Sequence, residues 1–376
     1  MFHSVKIEGY RGFSQFSMAG LGQINLLIGK NNAGKTSVLE ALYLLSTGGD
    51  PGALWRIMAR KGEQLAPDPT AGRPQQELDV CHLFSGHHLK IGMKAKIATK
   101  NQIPEQSITY EIAGPQREKS PQLYAQIPLE PEGAGRASQF SILVTGNPKP
   151  MIDVIPLSSR DGLRPEIFNI LNAITSNISR PDAPTPQYIS TDAFSGQDLA
   201  AAFGAIALTP HEDRVIKALQ FLEPGLERIA TTPPMGGMFV GGFPTRTGFK
   251  AKLKQFNQPV SIGSLGDGAW RMLALAIILT RSKGSLLLID EIDTGFHYTV
   301  MENVWKLVAQ AALELGIQVF ATTHSDDCVR SLAAICNPDF HLKGVSVQRI
   351  EADNENAIPF SEAEIIAAAK ARVEIR

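Results

Sequence analysis

The chain has 376 residues, 43% of them hydrophobic and 19% charged, with 36 Lys and Arg against 37 Asp and Glu for a net charge of −1. That composition supports a substantial core and excludes wholesale disorder, and the even balance means that a nucleic-acid partner would need a local basic patch. Cys81, Cys328 and Cys336 form no C-x-x-C pair and no metal-ligand spacing, which suits a reducing cytosol.

The opening MFHSVKIEGYRGF alternates apolar and polar residues and lacks the apolar region of a signal peptide. Its FHSVKIE stretch (2–8) reads as a half-buried strand. QINLLI (23–28) is a second strand that runs into a glycine-rich loop, and KTSVLEALYLLSTGG reads as a helix with Val38, Ala41, Leu42 and Leu45 on one face and Gly48 and Gly49 as its stop. Residues 61–76 are expected to be a loop. LKIGMKAKIA (89–98) and QSITYEIA (106–113) alternate as antiparallel strands, and 114–137 is expected to be an exposed loop. The proline-rich 180–194 cannot be a helix interior, and PHEDRVIKALQFL (210–222) reads as a helix with Pro210 near its start. Residues 231–248 read as turns or a hairpin. In GFKAKLKQF, Lys250, Lys252 and Lys254 would share one strand face, either merely solvated or tracking phosphates. A helix after Gly268, a strand SLLLID, a helix over 299–315 and a strand IQVFATT then alternate as in a parallel sheet covered by helices. VSVQRIEA and 361–372 close the chain as strand and helix. The longest apolar stretch, Trp270 to Thr280, is too short to span a bilayer, so no membrane partner is expected and the protein is read as cytoplasmic.

Gly29-Lys30-Asn31-Asn32-Ala33-Gly34-Lys35-Thr36 matches G-x-x-x-x-G-K-[ST] between a strand and a helix, with Ser37 next. Glycines let the backbone wrap a phosphate with its N–H groups inward, and the helix N-terminus adds positive charge. The expected ligand is ATP, with Lys35 on its β- and γ-phosphates and Thr36 on Mg²⁺. Ser285–Glu291 (SLLLIDE) places two acids where ligands of open α/β sheets bind, at the strands' carboxyl end. Asp290 can hold Mg²⁺ and Glu291 can polarise an attacking water. His324, at the end of IQVFATTHS, would lie beside the γ-phosphate if its strand neighbours that of Asp290.

SLGDGAWR (264–271), before a strongly apolar helix, resembles the signature segment of the ABC-type ATPases: SMC proteins, RecF and the OLD-like family. In these, a loop at a helix N-terminus contacts the γ-phosphate bound by the other subunit. The resemblance puts Gly266, Asp267 and Gly268 in that loop, with Gly266 replacing the usual serine and Ala269 the usual Gln or Glu. The order of P-loop, signature, acidic strand and histidine strand is the family's. VKIEGYRGFSQF is similar to its opening strand and turn, which implies that Arg11 lies near the phosphates. Asp293 falls at the D-loop, and His297 in the same turn reads as a surface histidine. DEIDTGFH is closer to the OLD-like single-gene ATPases (the AAA15 and AAA21 groups) than to RecF, whose acidic pair is Asp-Asp.

The resemblance implies an α/β, ABC-type P-loop ATPase head formed by both chain ends (1–60 and 250–376), with an inserted middle lobe of antiparallel strands and helices at 61–249. The stretch after Ser325 is too short for the TOPRIM nuclease of OLD proteins, and His87-His88 reads as solvated surface. Two functions follow by analogy. One is an ATP-hydrolysing switch, clasped by ATP as a homodimer, that regulates a separately encoded effector in a defence-type system. The other is a RecF-like ATPase of DNA repair or maintenance, with DNA as partner. A transporter subunit fits poorly, because the segment between P-loop and signature is unlike a transporter's compact insert.

Overall fold

In the computed structural model, residues 1–66, 77–100, 104–116, 140–150, 152–176, 185–190, 196–232, 248–336, 341–373 and 375 are described. The continuous apolar run of β3 (Ile24–Ile28) is buried at every residue, as in a strand covered on both faces. So are β14 (Leu286–Ile289) and β15 (Gln318–Thr322). With β10 (Gln187–Ile189), β16 (Val345–Arg349) and β17 (Ile358–Phe360) they form a six-stranded sheet in the order β10-β14-β15-β3-β16-β17, parallel except for β17.

The alternating segments build a second, antiparallel sheet. β1 (Ser4–Tyr10) and β2 (Phe13–Ala19) continue through β5 (Lys94–Thr99), β6 (Ser107–Ala113), β7 (Ser141–Asn147) and β8 (Val154–Pro156). Short strands β4 (Leu78–Asp79) and β9 (Gly162–Leu163) pair, as do β11 (Leu226–Thr231), β12 (Phe249–Leu253) and β13 (Val260–Ser261). The helix α1 (Lys35–Ser46) lies between the two large sheets, and Val38 through Leu45 are all buried. One core joins these residues to Ile97, Ile108 and Tyr110 of the antiparallel sheet and to Leu27, Leu288 and Phe320 of the parallel one.

Further helices are α2 (Pro51–Arg60), α3 (Pro165–Ser176), α4 (Gly196–Gly204), α5 (Pro210–Gln220), α6 (Asp267–Arg281), α7 (Met301–Leu315), α8 (Asp326–Leu332) and α9 (Glu362–Ala371). The other face of the parallel sheet packs on α6 and α7 through Trp270, Leu273, Ile277, Val304 and Trp305. None of the described helices is long and apolar enough to cross a membrane.

The fold is therefore an α/β head drawn from both chain ends, with antiparallel strands and helices between them. The sheets cut across limits drawn at residues 60 and 249, because β5–β8 extend the sheet begun by β1 and β2, and β10 joins the parallel sheet. Most of 61–76 and of 114–137, and 233–247, lie outside the described residues.

Candidate nucleotide site

The loop between β3 and α1 needs glycine at two points. Gly29 (φ 140) and Gly34 (φ 96) adopt backbone that L side chains avoid, and a Cβ would collide with the Ile350 carbonyl at the first and the Phe13 ring at the second. Asn32 also has positive φ (62), a region that Asn tolerates. Lys35 Nζ donates to the carbonyls of Gly29 (2.7 Å) and Lys30 (2.8 Å) and lies 3.3 Å from His324 Nδ1. Burial lowers the Lys35 pKa to about 8, against the pull of Asp290 and Glu291.

Parallel pairing of β14 with β15, and of β15 with β3, sets the strand ends side by side. Thr36 Oγ1 donates to Asp290 Oδ1 at 3.2 Å, and Thr322 Oγ1 donates to the same oxygen at 2.7 Å. Glu291 sits at φ 49, unusual for a non-glycine residue and the kind of strain that collects at functional sites. Its N–H donates to Thr322 Oγ1 (2.8 Å), its Oε2 accepts from Thr294 Oγ1 (3.0 Å), and its Oε1 is 3.8 Å from His324 Nε2. Asp293 accepts from Thr323 Oγ1 at 2.6 Å, which ties the turn after β14 to the end of β15. A cavity of about 520 Å³ opens here, lined by Asn31, Asn32, Gly34, Lys35, Thr36, Ser37, Lys61, Glu291 and His324. Ala33 is buried beneath it.

Arg11 departs from the expectation. It is buried and does not line this cavity, because its guanidinium is committed to carboxylates: Nε lies 2.8 Å from Glu40 Oε2, and Nη1 pairs with Glu63. Glu40, fully buried on α1, also meets Arg60 (3.4 Å) and Lys61 (3.2 Å). A charge so buried is held by its partners. Lys61, which sequence reasoning missed, is the member of this cluster that reaches the cavity. Glu40→Gln keeps the shape but leaves Arg11 with Glu63 as its only carboxylate partner among the described residues and takes the paired carboxylate from Arg60 and Lys61. We expect a loss of about 2 kcal/mol in stability by urea denaturation; an unchanged midpoint would show that the cluster is neutral to folding.

Gly266, Asp267 and Gly268 do not line the cavity of their own chain. They form the start of α6, with Gly266 and Asp267 exposed and Gly268 half-buried, and Gly266 (φ 93) is the N-cap with no side-chain cap. The first N–H groups of such a helix lack intrahelical partners and favour an anion. His297 is exposed beside Thr299, 2.9 Å from its Oγ1.

Residues 1–119 match the family described as "AAA ATPase domain", and residues 214–328 the family described as "AAA domain, putative AbiEii toxin, Type IV TA system". An "ATP/GTP phosphatase" of Helicobacter pylori is 20% identical over 96% of this chain and 95% of its own. The DNA replication and repair protein RecF of Bacillus thuringiensis is 25% identical over 29% of this chain and 28% of its own. Among solved structures, the Smc head domain derived from Pyrococcus furiosus, with an extended coiled coil and bound to the C-terminal domain of ScpA, aligns over 99% of both chains at 12% identity and TM-score 0.49.

Proposed function

We propose that this chain, an SMC/RecF-related P-loop ATPase, is a switch that closes as a homodimer around ATP, reopens after hydrolysis, and so regulates a separately encoded effector in a defence-type system. The observation that carries this reading is the start of α6, where Gly266 and Asp267 are exposed and which does not line the cavity that would need it. A second copy supplies what the first lacks.

In this reading the loop N–H groups of Asn31–Thr36 and Ser37 cradle the phosphates, with Gly29 and Gly34 shaping the turn and Lys35 reaching the β- and γ-phosphates. Thr36 and Asp290, oxygens already 3.2 Å apart, suit Mg²⁺, which takes hard oxygen ligands; when bound, the ion neutralises phosphate charge. Glu291 accepts the proton of the attacking water, and His324 lies beside the γ-phosphate. Gly266, Asp267 and Gly268 of the other copy cap that phosphate. The match of 214–328 to a family whose description names a toxin system supports the defence setting. Products of the adjacent genes provide the test: one of them should co-purify with this protein in an ATP-dependent way, and the absence of any such partner would leave the effector role without support.

One observation favours the RecF-like alternative. On the antiparallel pair β11–β12, Lys252 lies opposite Arg228 and Lys250 opposite Ala230, and Arg228 and Lys250 are exposed with Lys252 partly so. Lys252 Nζ also donates to the Phe256 carbonyl at 2.6 Å. If this face tracks phosphates, duplex DNA at low salt should raise fluorescence anisotropy. Lys250→Glu with Lys252→Glu should weaken binding and flatten the slope of log affinity against log salt by roughly one for each phosphate no longer neutralised. No binding, with or without ATP, removes the DNA reading.

A further inference from the structure

A second constellation lies on the loop that follows β4 and takes no part in the nucleotide site. Asp79 caps the 3₁₀ turn Val80–Leu83, and residues three apart eclipse in such a turn, which stacks His82 over Asp79. One ligand atom each from Asp79, Cys81 and His82 lie within 4.8 Å of one another. His82 Nε2 is 3.8 Å from Asp79 Oδ2, while Asp79 Oδ1 accepts from the Cys81 N–H at 3.0 Å. Across the His82 ring, Nδ1 is 3.2 Å from Nδ1 of His87, which is held at φ 51. A hydrogen bond between two imidazole nitrogens has one as donor and the other as acceptor. With His82 as donor, its Nε2 keeps a lone pair facing Asp79. A hydrogen bond from the far ring nitrogen is what orients metal-binding histidines.

We propose that Asp79, Cys81 and His82 bind one zinc-class divalent ion, with His87 orienting His82. A thiolate, an imidazole and a carboxylate suit a borderline-soft ion, whereas Mg²⁺ takes oxygens such as those of Thr36 and Asp290. Three protein ligands leave a fourth position for water. His88, whose Nδ1 lies against the Gly86 carbonyl, is not a member of this cluster. The ion would fasten a loop already docked on the end of β1, where Ser85 N donates to Gly9 O (3.0 Å) and Arg11 N donates to Leu83 O (3.1 Å). The site therefore adjoins the residue that holds Glu40 and Glu63.

The test uses the full-length chain, stripped with chelator and titrated with Co²⁺ and then Zn²⁺, without nucleotide. We expect one Co²⁺ per chain, with a near-ultraviolet thiolate-to-cobalt band and tetrahedral visible bands that Zn²⁺ displaces. Cys81→Ser should remove the thiolate band. His82→Ala should weaken binding by more than tenfold, and His87→Ala by about tenfold with the band retained. His88→Ala and Cys336→Ser should bind as the wild type does. Zinc-edge X-ray absorption on the wild type, which needs no variant to fold, should show one sulfur at about 2.3 Å. A shell of nitrogen and oxygen alone, no thiolate band, or a band that survives Cys81→Ser would overturn the proposal.

Discussion

Lys35→Ala is expected to abolish ATP binding. Its ammonium spans the carbonyls of Gly29 and Lys30 and projects into the cavity, so the substitution removes both a clamp on the loop and the cation that meets the phosphates. The same lysine makes binding pH-dependent. Burial lowers its pKa to about 8, so without nucleotide it loses its proton as the pH rises through 8. Phosphates favour the charged form and raise that pKa, so above pH 8 binding must take up a proton, and affinity falls as pH rises. Well below pH 7 the lysine is charged in both states and contributes no slope. Isothermal titration calorimetry at pH 8.5, in buffers of different ionisation heat, reads the uptake directly. Normal affinity in Lys35→Ala would sink the assignment of the phosphate loop, and absence of proton uptake in the wild type would sink the account of its charge.

Glu291→Gln should slow hydrolysis by about 10²–10⁴-fold while ATP still binds, because the amide keeps the size and the bond from Thr294 but cannot accept a proton. If two copies close over ATP, this variant should accumulate as a dimer, since a ligand that favours the dimer shifts association by mass action. Gly268→Arg in the Glu291→Gln background should prevent closure. A Cβ at Gly268 already comes within 3.0 Å of Gly295 O, so Asp267→Arg, at an exposed position, serves as the companion variant. Light scattering with and without ATP and Mg²⁺ is the measurement. Hydrolysis at the wild-type rate would exclude Glu291 as the base. A monomer with ATP bound would refute the shared site, and a dimer present without ATP would move the switch to closure within a permanent pair.

The parts legible in the sequence were those whose chemistry is local. A glycine loop between an aliphatic strand and a helix, and aliphatic runs ending in Asp290-Glu291 or His324, announce themselves within ten residues; the loop, Glu291 and His324 line one cavity, and Asp290 is bonded to Thr36 at its edge. Helix α2 has a start signal of the same local kind: Asp50 accepts from Gly52 N and Ala53 N, with Pro51 in the first turn. Strand β10 was hidden because its three residues sit in a proline-rich stretch and gain their ladder only from β14. The partners of Arg11 and Lys61 could not be read from the sequence. Arg11 and Glu63 are 52 positions apart, and the burial of Glu40 turns the arginine inward while Lys61 lines the cavity.

The enclosure of α1 between two sheets bears on how this protein can change over time. A helix at a surface, such as α7 with Glu302, Gln310 and Glu314 outward, keeps one side free for drift. From Val38 to Leu45, α1 has no such side. A substitution there must satisfy the parallel sheet, the antiparallel sheet and the loop that begins the same helix. Sequence variation in relatives should therefore reach the nucleotide site from its rim, through Lys61 and the start of α6, and leave the axis beneath it nearly fixed.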